Sequence, residues 1–142
     1  MTGSDKPMKI KLDEGAYAPE RAHKYDAGLD LKSTETFWLH PGEHYATDTG
    51  VHVEIPQGFV GLITSKSGLM LKGITSRGTI DSGYNGSIRA VLFNNGPEAY
   101  LVKAGDKITQ LVVLPCWIPD IELVDDLSDT ERGENGFGST GR

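Results

Sequence analysis

No window of this chain sustains apolar residues at helical spacing for three turns, and the 18 glycines and 7 prolines among its 142 residues interrupt any long helix. What remains is a series of short apolar runs that alternate with polar residues between turn signals, the pattern of half-buried strands. Val51, Val53 and Ile55 alternate with His52 and Glu54; Ile108, Gln110, Val112 and Leu114 share one face of a strand, and Thr109, Leu111 and Val113 the other. An all-β single domain is expected, because a chain of this length closes one core but cannot hold a cofactor domain plus a substrate domain. The only plausible helical turn follows Ser67-Gly68, with Ser67 placed to cap it.

Charge and cysteine usage narrow the function classes. A net charge of -6 argues against binding a nucleic-acid backbone, and an anionic small substrate would need local cations or a metal to offset that field. The single cysteine, Cys116, excludes an intramolecular disulfide, residues 1–15 lack the apolar run of a signal peptide, and no stretch approaches a membrane span. A reducing, cytosol-like compartment with no membrane partner is expected. Met8 is an alternative start that would leave residues 1–7 as a leader. His40-Pro41-Gly42-Glu43-His44 matches an inverted zinc-protease pattern, but Pro41-Gly42 forbids the helix that pattern needs, and His23 and His52 form no cluster. Residues 136–141 fit G-x-G-x-x-G, yet no strand of a βαβ unit precedes them and only Arg142 follows, so a dinucleotide fold is excluded.

Several stretches carry chemistry. Residues 78–86 set one acid, Asp81, and one aromatic, Tyr84, among three glycines; Thr79 and Ile80 lead in and Ile88 to Phe93 lead out, so a hairpin is expected, with an ordinary surface turn as the bland alternative. A second hairpin is expected where Pro56-Gln57-Gly58 separates residues 51–55 from 59–63. In Ala27-Gly28-Leu29-Asp30-Leu31 the leucines point one way and Asp30 the other, onto solvent or a ligand. Lys66 lies beside the free backbone N–H groups of the helical turn, either an anion pocket suited to a phosphate or a solvated surface turn. Gln110 stands among apolar residues and its amide must find partners, structural or ligand. After the acidic linker 125–131 comes a tail, 132–142, whose glycines and hydroxyls predict disorder; disorder alone does not need Phe137.

Taken in order, these segments resemble the five motifs of the trimeric dUTP pyrophosphatases (dUTPases). Ala27-Gly28-Leu29-Asp30-Leu31 looks like the first and Lys66-Ser67-Gly68-Leu69 the second. Residues 78–86 with Asn94 and Gly96 look like the third, Gly105-Asp106-Lys107-Ile108-Thr109-Gln110-Leu111 the fourth, and residues 132–141 the fifth. The resemblance runs from about Lys24 to the C-terminus. It implies a β jelly-roll core over 1–124 with one short helical turn, and a flexible arm over 125–142 that closes the active site. It implies a homotrimer with active sites shared between subunits, dUTP as substrate, and dUMP and pyrophosphate as products. By the resemblance Asp81 activates the attacking water and Asp30 helps hold the Mg²⁺ complex through water, while Tyr84 packs on the deoxyribose and leaves no space for a 2'-hydroxyl. Main-chain groups of Thr79, Ile80 and Asp81 would bond uracil, and Lys66, Ser67, Gly68 and Gln110 would contact phosphates. Arg89 falls among the substrate-binding positions. Arg132 would clamp the γ-phosphate, Phe137 would stack on uracil, and Gly138, Ser139 and Thr140 would line the phosphates. Such an enzyme lowers dUTP, supplies dUMP for dTMP synthesis and works in the cytoplasm, or the host's cytoplasm if phage-encoded.

The chain departs from the family pattern in places. Lys66 stands where most members have Arg, turning a forked contact into a point charge. Gly83 replaces a common second acid, Asn135 replaces a glycine, and the stretch between Gly68 and Gly78 is short, so the usual uracil-facing Asn has no counterpart except Thr75 or Ser76. The related dCTP deaminases use a Glu and an Arg at positions that align with Val91 and Leu71, which argues against deamination. A binding protein that keeps the fold and senses dUTP is the alternative from another class.

Overall fold

Ten strands and one helical turn account for the regular structure in the computed structural model, which describes residues 6–138 and 141. In chain order they are β1 (Ile10–Leu12), β2 (Leu29–Lys32), β3 (Phe37–Leu39), β4 (His44–Val53), β5 (Phe59–Thr64), α1 (Ser67–Met70), β6 (Ile74–Ser76), β7 (Gly78–Ile80), β8 (Ser87–Asn94), β9 (Tyr100–Val102) and β10 (Lys107–Pro115). One four-stranded sheet runs β1-β4-β8-β6 and a second runs β2-β10-β5-β7, while β3 and β9 form a separate ribbon. Every pairing is antiparallel, and the whole is an all-β jelly-roll subunit with one short helix.

No two consecutive strands pair with each other among the described residues. Both expected hairpins are therefore corrected. Strands β4 and β5 leave Pro56-Gln57-Gly58 into different sheets, and residues 81–86 carry the chain from β7 in one sheet to β8 in the other. Gly58, at φ +84°, turns the chain tightly, but a tight turn serves a crossover as well as a hairpin. The choice is made in the core. Leu31, Ile63 and Leu111 from one sheet meet Val51, Val53 and Ile88 from the other, with Ile55 just beyond β4, and each such burial contributes about 1.5–3 kcal/mol. Gly61 marks the close approach of the layers: a Cβ there would lie 2.7 Å from Ile55 Cδ1 and 2.9 Å from Leu111 Cδ1. A second cluster, including Leu39, Leu69, Ile74, Leu92 and Ile108, seats α1 and the β3–β9 ribbon.

The β10 pattern also needs correction. A register shift between Lys107 and Thr109 breaks the alternation, so Ile108 is buried in the second cluster while Gln110 lies half-buried on the outer face. Asn94 is fully buried and structural: its amide donates to Leu39 O at 2.9 Å and Glu98 O at 2.8 Å, and its Oδ1 accepts from Gly96 N at 2.9 Å. Beyond Pro115, residues 116–138 hold no strand or helix, and Trp117, Ile118, Ile121, Leu123 and Leu127 stand exposed.

Candidate active site

Strand register brings three of the expected phosphate and metal residues into one row. Asp30 on β2 pairs with Gln110 on β10, which pairs with Thr64 on β5, and β5 ends one residue before Ser65-Lys66 and the start of α1. Asp30 is not solvent-facing: it is only 2% exposed, with Lys66 from the start of α1 and Lys107 from the neighbouring β10 over its carboxylate. Lys66 Nζ bonds its Oδ1, and Lys107 Nζ lies 3.5 Å from its Oδ2. Glu20, held beside Asp30 by a backbone bridge, reaches Lys32 at 3.4 Å and Lys107 at 3.5 Å, and the Lys32 ammonium keeps its carboxyl below the usual range. Three lysines thus face two carboxylates, a local cationic excess on a protein of net charge -6, which meets the need of an anionic ligand.

Lys32 and Lys107 were not among the expected site residues. Their signal is the pairing of Lys107 with Lys32, which is invisible until β2 and β10 are known to be neighbours. Gln110 donates from Nε2 to Ser65 O at 3.1 Å, and its amide oxygen lies over Gly28, where a Cβ would stand 2.1 Å from it. That contact explains the glycine. Ser67 does not cap α1: Lys66 occupies the cap position and no side chain bonds the helix start, so the Ser67 hydroxyl and the neighbouring backbone N–H groups remain exposed with Gly68. Ser76, considered for the uracil-facing role, is buried and its hydroxyl is engaged by Thr109 Oγ1 at 2.6 Å; Thr75 pairs with Phe93 in the opposite sheet.

The second group lies on and after β7. This is the edge strand of its sheet, pairing only with β5, so alternate backbone N–H and C=O groups of Thr79 and Ile80 point away from the ladder, available to a planar base. Asp81 is exposed, with no side-chain hydrogen bond or ion pair among the described residues. The Tyr84 N–H donates to Asp81 O at 3.0 Å, its hydroxyl donates to Ser87 O at 2.8 Å, and its ring covers Gly86 so closely that a Cβ there would lie 2.5 Å from the hydroxyl oxygen. Arg89 is exposed on β8, opposite Asp48.

The two groups do not meet within one chain. Asp30 and Asp81 are separated by three strand steps across the sheet and about four residues along it, which at about 4.8 Å per strand and 3.3 Å per residue is about 20 Å. The tail joins neither group: Arg132 Nε donates to Asn135 O at 2.7 Å and Phe137 is fully exposed, while Ser139 and Thr140 fall outside the described residues. A cavity of about 940 Å³, lined by Met8, Leu29, Phe59, Leu111 and Val113, contains none of the expected site residues. Among the described residues no three His, Cys, Asp or Glu side chains converge to hold a metal ion, and no helix is long and apolar enough to cross a membrane. Asp30, expected to help hold a Mg²⁺ complex through water, is buried with Lys66 on one carboxylate oxygen and Lys107 beside the other, so a hydrated ion reaches it only where those lysines turn away.

Comparison with known proteins places this geometry in context. The family profile described as dUTPase matches residues 14–141. The deoxyuridine 5'-triphosphate nucleotidohydrolase of Clostridium tetani is 45% identical over 140 residues, covering 95% of this chain and 97% of the relative, and that of Gloeothece citriformis is 42% identical, covering 94% and 97%. Among solved structures, the dUTPase of Staphylococcus bacteriophage 80alpha with dUPNHPP superposes with a TM-score of 0.90 at 35% identity, over 96% of this chain and 99% of that one. A mutant dUTPase from phage phi11 of S. aureus, whose structure concerns a structural Mg(II) ion, gives 0.80 at 34% identity over 85% and 98%.

Proposed function

The chain belongs to the dUTPase family and is a dUTP diphosphatase, and from that premise we propose that it cleaves dUTP by water attack at the α-phosphorus in sites shared between copies of the chain. The observation that carries the mechanism is the setting of Asp81. It is an exposed, unpaired carboxylate on a crossover anchored at one end by β7 and at the other by β8, which is what a general base acting on a water requires. Asp81 takes the water's proton as the oxygen bonds the α-phosphorus; the bond to the bridging oxygen breaks, leaving dUMP and pyrophosphate. In-line attack depends on how the triphosphate is held. Lys66, Ser67, Gly68 and Gln110 hold it from the other end of the sheet, through one charge, one hydroxyl, exposed backbone donors and one amide. Asp30 would help keep a Mg²⁺–triphosphate complex in place through water once the phosphates draw Lys66 and Lys107 off its carboxylate, and the ion when bound would withdraw charge from the phosphate oxygens.

Specificity follows from the second group. Backbone groups of Thr79, Ile80 and Asp81 bond the uracil edge, whose donor and acceptor order differs from that of cytosine at the 4-position. The Tyr84 ring, fixed on Gly86, closes against the deoxyribose and excludes a 2'-hydroxyl, and Arg89 supports the substrate from β8. The arm 125–142 then covers the site beyond the 1–124 core: Arg132 clamps the γ-phosphate, Phe137 stacks on uracil, and Gly138, Ser139 and Thr140 line the phosphates, excluding water.

Sharing is supported by the separation of Asp30 and Asp81, since about 20 Å is too far for one triphosphate to engage both carboxylates. The exposed apolar residues between Trp117 and Leu127 give copies of the chain a surface to bury, consistent with a homotrimer. The enzyme lowers dUTP and supplies dUMP for dTMP synthesis in the cytoplasm. The test is pyrophosphate release from dUTP, dCTP, dTTP and UTP with Mg²⁺, with ammonia followed in the dCTP reaction. Release from dUTP alone is expected; tight dUTP binding without release would move the chain to the sensor class.

A further inference from the structure

His52, which belongs to no metal cluster and no family motif quoted above, reaches the crossover that carries Asp81 and Tyr84. It stands on β4 between Lys11 of β1 and Ser87 of β8. Its base is rigid. Three residues of β4, Thr49 to Val51, face only Ile88 of β8 between the Asp48–Arg89 and His52–Ser87 pairs, and the bulge is closed at Gly50, with φ +67°, by Asp48. Asp48 Oδ1 accepts from Gly50 N at 2.9 Å and Oδ2 from Ser87 Oγ at 3.1 Å. From this platform the imidazole extends both ways: Nδ1 lies 2.8 Å from Asn85 O and Nε2 lies 2.9 Å from Asp13 Oδ1. The first contact is the only side-chain hydrogen bond that reaches residues 81–86 from elsewhere in the chain, among the described residues. Within the crossover, Tyr84 is bonded to Asp81 O and Ser87 O and packed on Gly86, so a hold on the Asn85 carbonyl acts on a segment already tied together through Tyr84.

We propose that His52 is a positioning residue for dUTP hydrolysis, bridging Asp13 to Asn85 so that the crossover holds Tyr84 where it separates deoxyribose from ribose. The inference rests on the reading of Tyr84 as the sugar wall. Both partners are pure acceptors, so the ring satisfies both only as imidazolium, and a neutral ring keeps one bond and loses the other. The charged and titratable groups around it are Asp13 and Lys11 from the β1 end, Asp48 on its own strand and Glu54 just beyond it, Asp81 and Tyr84 on the crossover, and Arg89 on β8. The Asn85 carbonyl first, and then the Asp13 carboxylate, raise the imidazole pKa above its ordinary 6.5, against burial and the Lys11 charge. The bridge is therefore complete on the acid side and half-made on the alkaline side.

The readout is the ratio of kcat/KM for dUTP to that for UTP, in which the titration of any group acting on the shared phosphate chemistry cancels. In the wild type this ratio should fall as pH rises from 6 to 9. His52→Ala should lower it about tenfold at pH 6.5 and flatten its pH profile. His52→Asn, whose amide can take the Nδ1 contact to Asn85 but does not reach Asp13 and does not titrate, should give a pH-independent ratio between those of wild type at pH 6.5 and His52→Ala. A His52→Ala ratio within twofold of wild type, or a wild-type ratio independent of pH, would overturn the proposal, provided melting curves show both variants folded. A second measurement does not need turnover: ¹⁵N NMR of the wild-type protein should show both His52 ring nitrogens protonated at pH 6, with the Gly86 amide titrating at the same midpoint. A bare ring nitrogen at pH 6 would overturn the bridge. Failure of the wild type to release pyrophosphate from dUTP would instead overturn the functional reading, and the NMR titration would still judge the bridge.

Discussion

Gly28→Ala separates the fold from the phosphate end of the site. A Cβ at Gly28 would stand 2.1 Å from Gln110 Oε1, 2.9 Å from its Cδ and 3.3 Å from its Cβ. The nearest atoms are the tip of a flexible side chain, so the amide swings away and the β2–β10 ladder stays intact. What is lost is the 3.1 Å bond from Nε2 to Ser65 O, about 1 kcal/mol of stability, which for a domain of this size lowers the melting temperature by about 3 °C. The loss to catalysis is larger. If Gln110 bonds a phosphate oxygen, a neutral donor on a charged acceptor contributes about 1.5–3 kcal/mol, or about 10- to 150-fold in kcat/KM. Pyrophosphate release read beside a melting curve checks both numbers. A variant with kcat/KM within threefold of wild type, despite the displaced amide, would refute the role of Gln110 in holding substrate.

Three further outcomes are expected. Asp81→Asn removes the only acid of the crossover and should cut kcat by about 10²- to 10⁴-fold while dUTP binding, measured by calorimetry, persists; near-normal turnover would sink the assignment. Deleting residues 132–142 should abolish most activity and leave the melting temperature unchanged, because among the described residues Arg132 bonds only within the arm and Phe137 is fully exposed; an unchanged rate would show the arm to be dispensable. Because the folded-state pKa of His52 is raised, its contribution to stability is complete below the ordinary value of 6.5 and is lost as pH climbs through the higher folded value. Melting temperature should accordingly fall over that window in the wild type and not in His52→Ala, and parallel curves would contradict the bridge.

The strands were legible because Val51, Val53 and Ile55 alternate with polar residues, a pattern that survives in any sandwich, whereas in β10 the shift between Lys107 and Thr109 puts Ile108 and Gln110 on different faces. Their pairing was not. Pro56-Gln57-Gly58 and residues 81–86 contain the turn residues of hairpins, and only the packing of Ile55 against Gly61 and Leu111 decides that the chain crosses between sheets. The same limit governs the site. The identities of Asp30, Lys66, Gln110 and Asp81 could be read from family motifs, whereas the burial of Asp30 depends on Lys66 and Lys107, which lie 36 and 77 positions away in the chain. His52 looked isolated because its partners, Asp13 and Asn85, stand 39 and 33 residues from it. Local pattern reports which residues a strand offers to each face; it does not report which distant strand arrives beside it.

In a shared site, Asp30 and Asp81 serve one reaction from different copies of the chain. Asp30→Asn and Asp81→Asn should each be inactive alone. Unfolded together in equal amounts and refolded, they should recover about a quarter of wild-type pyrophosphate release from dUTP, the chance that a shared site draws one intact carboxylate from each kind of subunit. Recovery near that level is the predicted result. No recovery, from a mixture shown by mass spectrometry to contain mixed oligomers, would mean that each chain completes its own site and would contradict the account.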